Sequence, residues 1–517
     1  MSDKLHVNRR DLIRLSGLGL TTALPFATQF AAMGAAASTL GPSDYKALVC
    51  MFWYGGNDSN NTVLATDADS WGRYWLARNA GSDPIALMPV GAAPVPIGQT
   101  SPVTGRVAGK ATPEAWGGVL PFTPKTPQAI PAGTNANAPR TFAVHPFLAP
   151  ILPLYAAGRL AVLANVGTLI QPTTKAQYTA KSVSLPVNLY SHNDQQSEWQ
   201  AGSAAGAVTG YGGLIADNEY SLNTANGIFT AISTSGNAVF LSGQTVVQYQ
   251  VSTNAAPAIP VNGVSSTNID GSSIAPQILQ SIITDTTPTS NFESDYATVV
   301  ARSINATGIL NGAISSGVVA ALPPVPTYTN QITGNTETNV LAIQLATVAR
   351  IIAASQALGV KRQVFFVSAG GFDTHLGQNA AQPDNLGQIA HAMTYFDSTL
   401  SNIGGADYRP NVTLFTASDF SRTFTTNGAG TDHAWGGHHF ILGGAVKGGD
   451  MYGQYPTLGV DNGAFNNPNM VGNALIPTTS VDQYIGTLGR WFGVSPGALA
   501  TIFPNLANFP AGYLNFI

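Results

Sequence analysis

Charge is what this chain has least of: Asp, Glu, Lys and Arg make up 9% of its 517 residues, against roughly a quarter in an average soluble domain. The net charge is −4, and no basic block follows the N-terminal segment. A nucleic-acid backbone therefore finds nothing to hold it, and DNA and RNA are excluded as expected partners. Cysteine is almost absent too. A single residue, Cys50, rules out an intramolecular disulfide, and its place inside the apolar run Ala47–Tyr54 reads as a small buried hydrophobe rather than a reactive thiol. Long apolar runs are also missing. The uncharged, mildly apolar stretch from Leu15 to about Ala36 holds too many Gly, Thr and Ala for a membrane span.

That stretch has another reading. Asn8-Arg9-Arg10-Asp11-Leu12 precedes it and Ala35-Ala36-Ala37 ends it, giving a charged start, a mildly apolar middle and an A-x-A cleavage pattern. Residues 1–37 are thus expected to be a twin-arginine signal peptide, with the mature chain starting near Ser38 and destined for the periplasm or the outside of a bacterium. A basic amphipathic helix start is the competing reading. The twin-arginine route favours proteins that fold or take up a cofactor before crossing, which hints at a metal.

The mature part, 38–517, is long enough for one large α/β domain with insertions. Ala47–Tyr54 is a continuous apolar run bounded by Gly55-Gly56-Asn57-Asp58 and reads as a central strand. From 81 to 140 the chain is rich in Pro, Gly, Ala and Thr without period, an irregular insertion. Phe147–Ala157 has helical spacing and Arg159–Val166 reads as another buried strand. A second insertion or cap, about 203–338, is expected to be dominated by strands and loops. Then Val340–Leu358 reads as a helix, Gln363–Val367 as a strand, about Asn385 to Asn402 as a helix and Asn411–Thr416 as a strand. Helices alternating with buried strands predict a mostly parallel sheet covered on both faces, with its ligand site beyond the strands' C-terminal ends.

Polar clusters sit at those ends: Asn57-Asp58-Ser59, then Asp373-Thr374-His375, then Asp419. Thr431-Asp432-His433 and His438-His439 follow. Carboxylates and imidazoles gathered at one sheet edge suit Zn²⁺, Mn²⁺ or a similar ion, since oxygen and nitrogen donors supply both charge and directional lone pairs. Taken singly, each is equally a loop-capping Asp or a hydrogen-bonded His. Ser191 opens a short helix that closes at Gly202. Its place at a helix N-terminus suits an anion and suits a nucleophile activated by a metal, although an ordinary N-cap explains the residue as well.

In order, Gly55-Gly-Asn-Asp58, Ser191-His192, Gly370-Gly-Phe-Asp-Thr-His375, Ser418-Asp-Phe-Ser-Arg422, Gly430-Thr-Asp-His433 and Gly443–Gly449 resemble the exported bacterial family known as domain of unknown function 1501, within the alkaline-phosphatase-like superfamily. Val481–Gly493 is similar to that family's last helix. The resemblance implies a three-layer α/β/α sandwich and a divalent metal site (Zn, Mn, Mg or Ca, one ion or two). It matches Asp58 to a first-strand metal aspartate and Ser191 to the nucleophile. Asp373, His375 and His433 are matched to one metal and Asp419 to a second. Trp199 and Gly202 are similar to an aromatic and a glycine of alkaline phosphatases. The pattern departs at Phe420, where the superfamily has a ligand histidine, and at Asp373 and His375, which stand one residue apart instead of three. Asp432, His438 or His192 would then fill in, or the site would hold one metal, or catalysis would be lost.

Two functions are therefore expected. One is an exported metal-dependent hydrolase of phosphate or sulfate esters, small or polymer-borne, with Ser191 attacking, the metal set of Asp58, Asp373, His375, Asp419, Asp432 and His433 neutralising charge, and Arg422 clamping the anion. The other is a non-catalytic envelope or binding protein that keeps the fold. Neither composition nor motif predicts an oligomeric state.

Overall fold

The computed structural model describes residues 44–130, 139–223, 226–254, 257–259, 261–287, 290–460 and 465–517. The expected signal segment, 1–37, lies outside the described residues.

The first apolar run forms strand β1, Lys46–Trp53. Period-two alternation sends Ala47, Val49, Met51 and Trp53 into one hydrophobic cluster, and Leu48, Cys50 and Phe52 into another. A strand buried on both faces needs helices above and below it. The remaining strands of its sheet are β2 (Leu160–Gly167), β3 (Ala231–Ser233), β4 (Tyr249–Gln250), β5 (Arg362–Ala369), β6 (Val412–Ser418), β7 (Gly437–Leu442), β8 (Met451–Tyr452) and β9 (Thr479–Ser480). They run in the order β8-β2-β7-β6-β1-β5-β3-β4, with β9 pairing further along β2. Only β7 is antiparallel to its neighbours, β6 and β2.

Helices close both faces. Over the first cluster lie α5 (Val340–Ala353) and α6 (Gln378–Leu400), which contribute Leu345, Val348, Ile352, Leu386, Met393 and Phe396. Over the second lie α3 (Tyr211–Glu219) and α7 (Val481–Phe492), with Ile215, Tyr484, Ile485 and Leu488. Each such side chain contributes about 1.5–3 kcal/mol by leaving water. The start of α7 is fixed by a capping box, in which Ser480 and Gln483 satisfy each other's backbone amides. Three further helices matter below: α1 (Ala68–Arg78), α2 (His192–Ala201) and α4 (Asn291–Ile314). The result is the expected three-layer α/β/α arrangement around a mostly parallel sheet. Among the described residues, no helix is long and apolar enough to cross a membrane.

Several boundaries differ from expectation. Helix α5 stops at Ala353, and the rest of the expected helix is a separate turn, Ser355–Leu358, closed by Gly359 in the left-handed region. Helix α6 begins at Gln378 instead of about Asn385 and takes Pro383 into its second turn, giving up one intrahelical hydrogen bond there. The segment 203–338 carries, besides its strands and loops, helices that were not expected. It holds α3, a helix at Ala275–Ile283 and the 24-residue α4. The buried positions of α4, among them Ala306, Leu310 and Ala313, recur at helical spacing but are small and interleaved with Ser, Thr and Asn, which blurs the periodicity in sequence. Within the first insertion, Leu120–Phe122 joins Val63–Ala65 and Phe142–Val144 in a separate antiparallel sheet.

Strands β1, β5 and β6 end at one edge, where the chain crosses between loops: Tyr54 N–H donates to Ala369 O (2.8 Å), Asn57 N–H to Ser418 Oγ (3.0 Å) and Gly55 N–H to the Asp419 carboxylate (3.2 Å). Gly55 has φ +113°, and a Cβ there would lie 2.4 Å from the backbone nitrogen of Asp373. Gly55→Ala is expected to lower stability by about 1–3 kcal/mol, read as a lower urea midpoint at unchanged slope. An unchanged midpoint would mean that the two loops separate freely.

Candidate metal centre

The edge formed by β5 and β6 gathers four side chains. Asp373 lies on the loop after β5 together with His375, His433 lies on the loop before β7, and His192 is the first residue of α2. Each of the three imidazoles approaches the Asp373 carboxylate. Asp373 Oδ1 is 3.3 Å from His375 Nε2, 3.5 Å from His192 Nε2 and 3.6 Å from His433 Nε2. The ligand atoms of His192, Asp373 and His433 all lie within 4.8 Å of one another.

Each imidazole is oriented from behind. His433 Nδ1 donates to the carbonyl of Tyr190 (2.7 Å), His375 Nδ1 donates to Asp432 (3.0 Å) and His192 Nδ1 donates to Asp419 (2.7 Å). Carbonyls and carboxylates only accept, so the neutral rings carry their protons on Nδ1 and turn their Nε2 lone pairs inward. Tyr190 adopts φ +75°, which is uncommon for a bulky residue, and thereby presents its carbonyl to His433. Phe420 packs against the rings of His192 and His433 with centroids at 4.8 and 4.6 Å. It walls the cluster on the side of His192 and His433.

The arrangement leaves lone pairs facing lone pairs. His375 and His433 approach to 2.9 Å through Nε2 atoms that both lack a proton in the neutral rings, and His192 Nε2 is buried without a hydrogen-bond partner. Three carboxylates, Asp373, Asp419 and Asp432, contact the histidines of the cluster, and one guanidinium, that of Arg422, pairs with Asp373. Lone pairs in contact and an excess of negative charge both call for a cation. A tetrahedral Zn²⁺ with bonds of 2.0–2.1 Å sets its ligand atoms about 3.3 Å apart, close to the separations from Asp373. The residues present fit a divalent ion.

Protonation states agree with that fit. Burial lowers the pKa of His433, favouring the neutral form. Burial alone would raise the pKa of Asp373, but the Arg422 hydrogen bond and charge bring it below the ordinary carboxylate value. Asp432 is likewise raised by burial yet brought down overall by its bonds from Asn427 and His375. At His192 the hydrogen bond to Asp419 outweighs burial and raises the pKa.

Other residues singled out from the sequence lie elsewhere or do something else. Asp58 is buried in an ion pair with Arg78 of α1, which meets both carboxylate oxygens, and it also accepts from Gln378 Nε2 (2.5 Å) and Asn60 N–H (3.1 Å). Its carboxylate is fully engaged away from the histidines. Arg422 is equally committed: its guanidinium donates to the carbonyls of Gly55, Gly56 (3.0 Å) and Thr431 (3.2 Å) and to Asp373, and its side chain has no exposed surface. It holds a ligand in place and offers no donor to an outside anion. Ser191 is the N-cap of α2, and its hydroxyl donates to Asp194 (2.8 Å). Asp419 supports His192 and also accepts from Gln196 Nε2 (2.8 Å). His438 lies within β7, accepts from Asn165 N–H (3.0 Å) and stacks on Tyr455, away from the cluster. Trp199 packs against His439, and Gly202 closes α2 in the left-handed region.

His192 was expected only as a substitute ligand. The cue to its role is its place right after Ser191 at a helix start, and the Tyr190 carbonyl beside it has no sequence cue. Because Asp58 neutralises Arg78, Asp58→Asn is expected to destabilise the fold by about 3–5 kcal/mol while the histidine cluster still takes up Zn²⁺ from a buffered solution. Loss of zinc uptake by the folded variant would return Asp58 to the metal site.

No curated protein matches the chain. The family model described as Protein of unknown function (DUF1501) matches residues 320–503, the stretch that supplies β5 to β9, Asp373, His375, Asp419, Arg422, Asp432 and His433. His192 and Asp58 lie outside it. Over that stretch the chain is similar to the DUF1501 family.

Proposed function

We propose that the protein is an exported metal-dependent hydrolase of phosphate or sulfate esters working with one divalent ion, held by Asp373, His192, His375 and His433. The observation that carries the metal is the convergence of three inward-facing Nε2 atoms on Asp373 Oδ1. A zinc-type ion supplies Lewis acidity toward a phosphoryl or sulfuryl oxygen and makes a bound water more acidic. The chain's own contribution is to fix the imidazoles through Asp419, Asp432 and the Tyr190 carbonyl, and to leave the site open. Asp373 and His375 keep side-chain exposures of 52% and 42%, whereas a purely structural zinc is usually enclosed. The N-terminal amides of α2 lie next to His192 and favour an anion there. Ser191 would have to release Asp194 before attacking an ester. Asp194, whose pKa the Ser191 hydrogen bond lowers, is a weak base for that step, so a solvent nucleophile suits this geometry better than the serine.

Export by the twin-arginine route belongs to the same proposal, since loading an ion inside the cell gives a disulfide-free protein a reason to cross folded. One observation favours the second reading, a non-catalytic exported protein that keeps its ion: the cationic side chain at the cluster, Arg422, is spent on internal carbonyls and Asp373. Elemental analysis of protein purified from the periplasm of its native host, with turnover of aryl phosphate and aryl sulfate esters, separates the two. One equivalent of divalent metal is expected. Asp373→Ala should lose the metal and at least a hundredfold in turnover, while Ser191→Ala should keep both within about threefold. Bound metal with no ester turnover would leave the binding protein, and absence of metal would remove both readings.

A further inference from the structure

Helix α2 carries His192 at its start, and near its other end it borders a second, chemically different place. Between α2, the first turn of α7 and the start of α3 lies a small, partly open cavity of about 120 Å³, lined among others by Thr168, Glu198, Tyr211, Asp482 and Asn505. Asp482, in the first turn of α7, is 4% exposed. Its Oδ1 accepts the Tyr211 hydroxyl at 2.8 Å and Asn505 lies against the carboxylate, but the buried Oδ2 has no well-aligned donor. Among the described residues neither Asp482 nor Glu198 has an ion-pair partner.

A buried carboxylate with an open oxygen and no counter-ion is costly. The N-terminal turn of α7 favours its charge, yet burial dominates and pushes Asp482 up to about 6, with Tyr211 and Asn505 offsetting only part of the effect. Burial raises Glu198 as well, and the charge of Asp482 adds to that. A water in the cavity would satisfy the open oxygen but leave both charges uncompensated. The ionisable donors are oxygens only, which selects a hard cation over the borderline ions that suit imidazoles. Since one water occupies about 30 Å³, the volume admits an ion with a few waters.

We propose that this cavity is a second cation site, distinct from the histidine cluster, which binds Ca²⁺ through Asp482 and Glu198 with water completing the shell. Two carboxylates and a largely aqueous shell place its affinity in the weak class, on the order of 10⁻⁴–10⁻³ M.

Terbium luminescence on the full mature chain tests this, because Tyr211 bonds directly to Asp482 and Trp199 neighbours Glu198 on α2, so both can sensitise an ion in the cavity. Saturable luminescence excited through the protein and displaced by millimolar Ca²⁺ is expected, together with a Ca²⁺-dependent rise in melting temperature. Both should weaken at least tenfold in Asp482→Asn and persist in His192→Ala. Glu198→Gln, at a half-buried position, gives a second variant should Asp482→Asn fold poorly, and it too should bind at least tenfold more weakly. Luminescence that does not saturate, that survives in both carboxylate variants, or that vanishes in His192→Ala alone would overturn the proposal.

Discussion

The guanidinium of Arg422 is the part on which the polar edge of this fold depends. It is buried, and it reaches the carbonyls of Gly55, Gly56 and Thr431 as well as the carboxylate of Asp373. Those partners belong to three separate loops, after β1, after β5 and before β7. A planar fork with five donors can join them at once, which the point charge of a lysine cannot. Burying such a charge costs several kcal/mol unless partners surround it, so the loops are held to the geometry that supplies those partners. Asp373 is thereby kept ionised and stationary, and it is the atom about which the three histidines are arranged.

A second buried arginine repeats the device nearby. Arg78 reaches from α1 to both oxygens of Asp58 and to the carbonyls of Thr423 and Phe424. By resemblance Asp58 occupies the position of a metal aspartate, but here a side chain of the protein itself provides its positive charge. Phe420, standing where a ligand histidine is expected, gives up a donor on the same edge and packs on His192 and His433. The two features concentrate the titratable groups of this edge around one position: Arg78 compensates Asp58, and Phe420 supplies an aromatic wall.

Much of this was legible in the sequence, for identifiable reasons. Continuous apolar runs such as Ala47–Tyr54 announce strands buried on both faces, and their alternation with apolar helices fixes the layer order. That Asp373, His375 and His433 meet follows from three polar clusters placed at strand ends. The rest depends on contacts remote in sequence. Whether Asp58 faces a metal or a guanidinium is decided by Arg78, on a helix with no motif. Whether Arg422 is free is decided by which carbonyls surround it, and backbone oxygens carry no sequence signal. The long helix α4 was hidden because its buried face is built largely from alanine.

The unequal titration of the histidines follows from how each is supported. His433 is backed by a neutral carbonyl, so burial governs and its proton affinity falls. His192 is backed by the fully buried Asp419, one of whose oxygens has no partner at all, and its proton affinity rises. A proton on His192 would sit on Nε2, since Nδ1 already donates to Asp419. Nε2 is also the atom that faces Asp373. The carboxylate that makes this nitrogen a better base therefore makes it a better ligand, and an ion bound there supplies the positive charge that a proton would otherwise bring. Asp419 thus acts on the cluster through His192, by orienting the ring from its Nδ1 side.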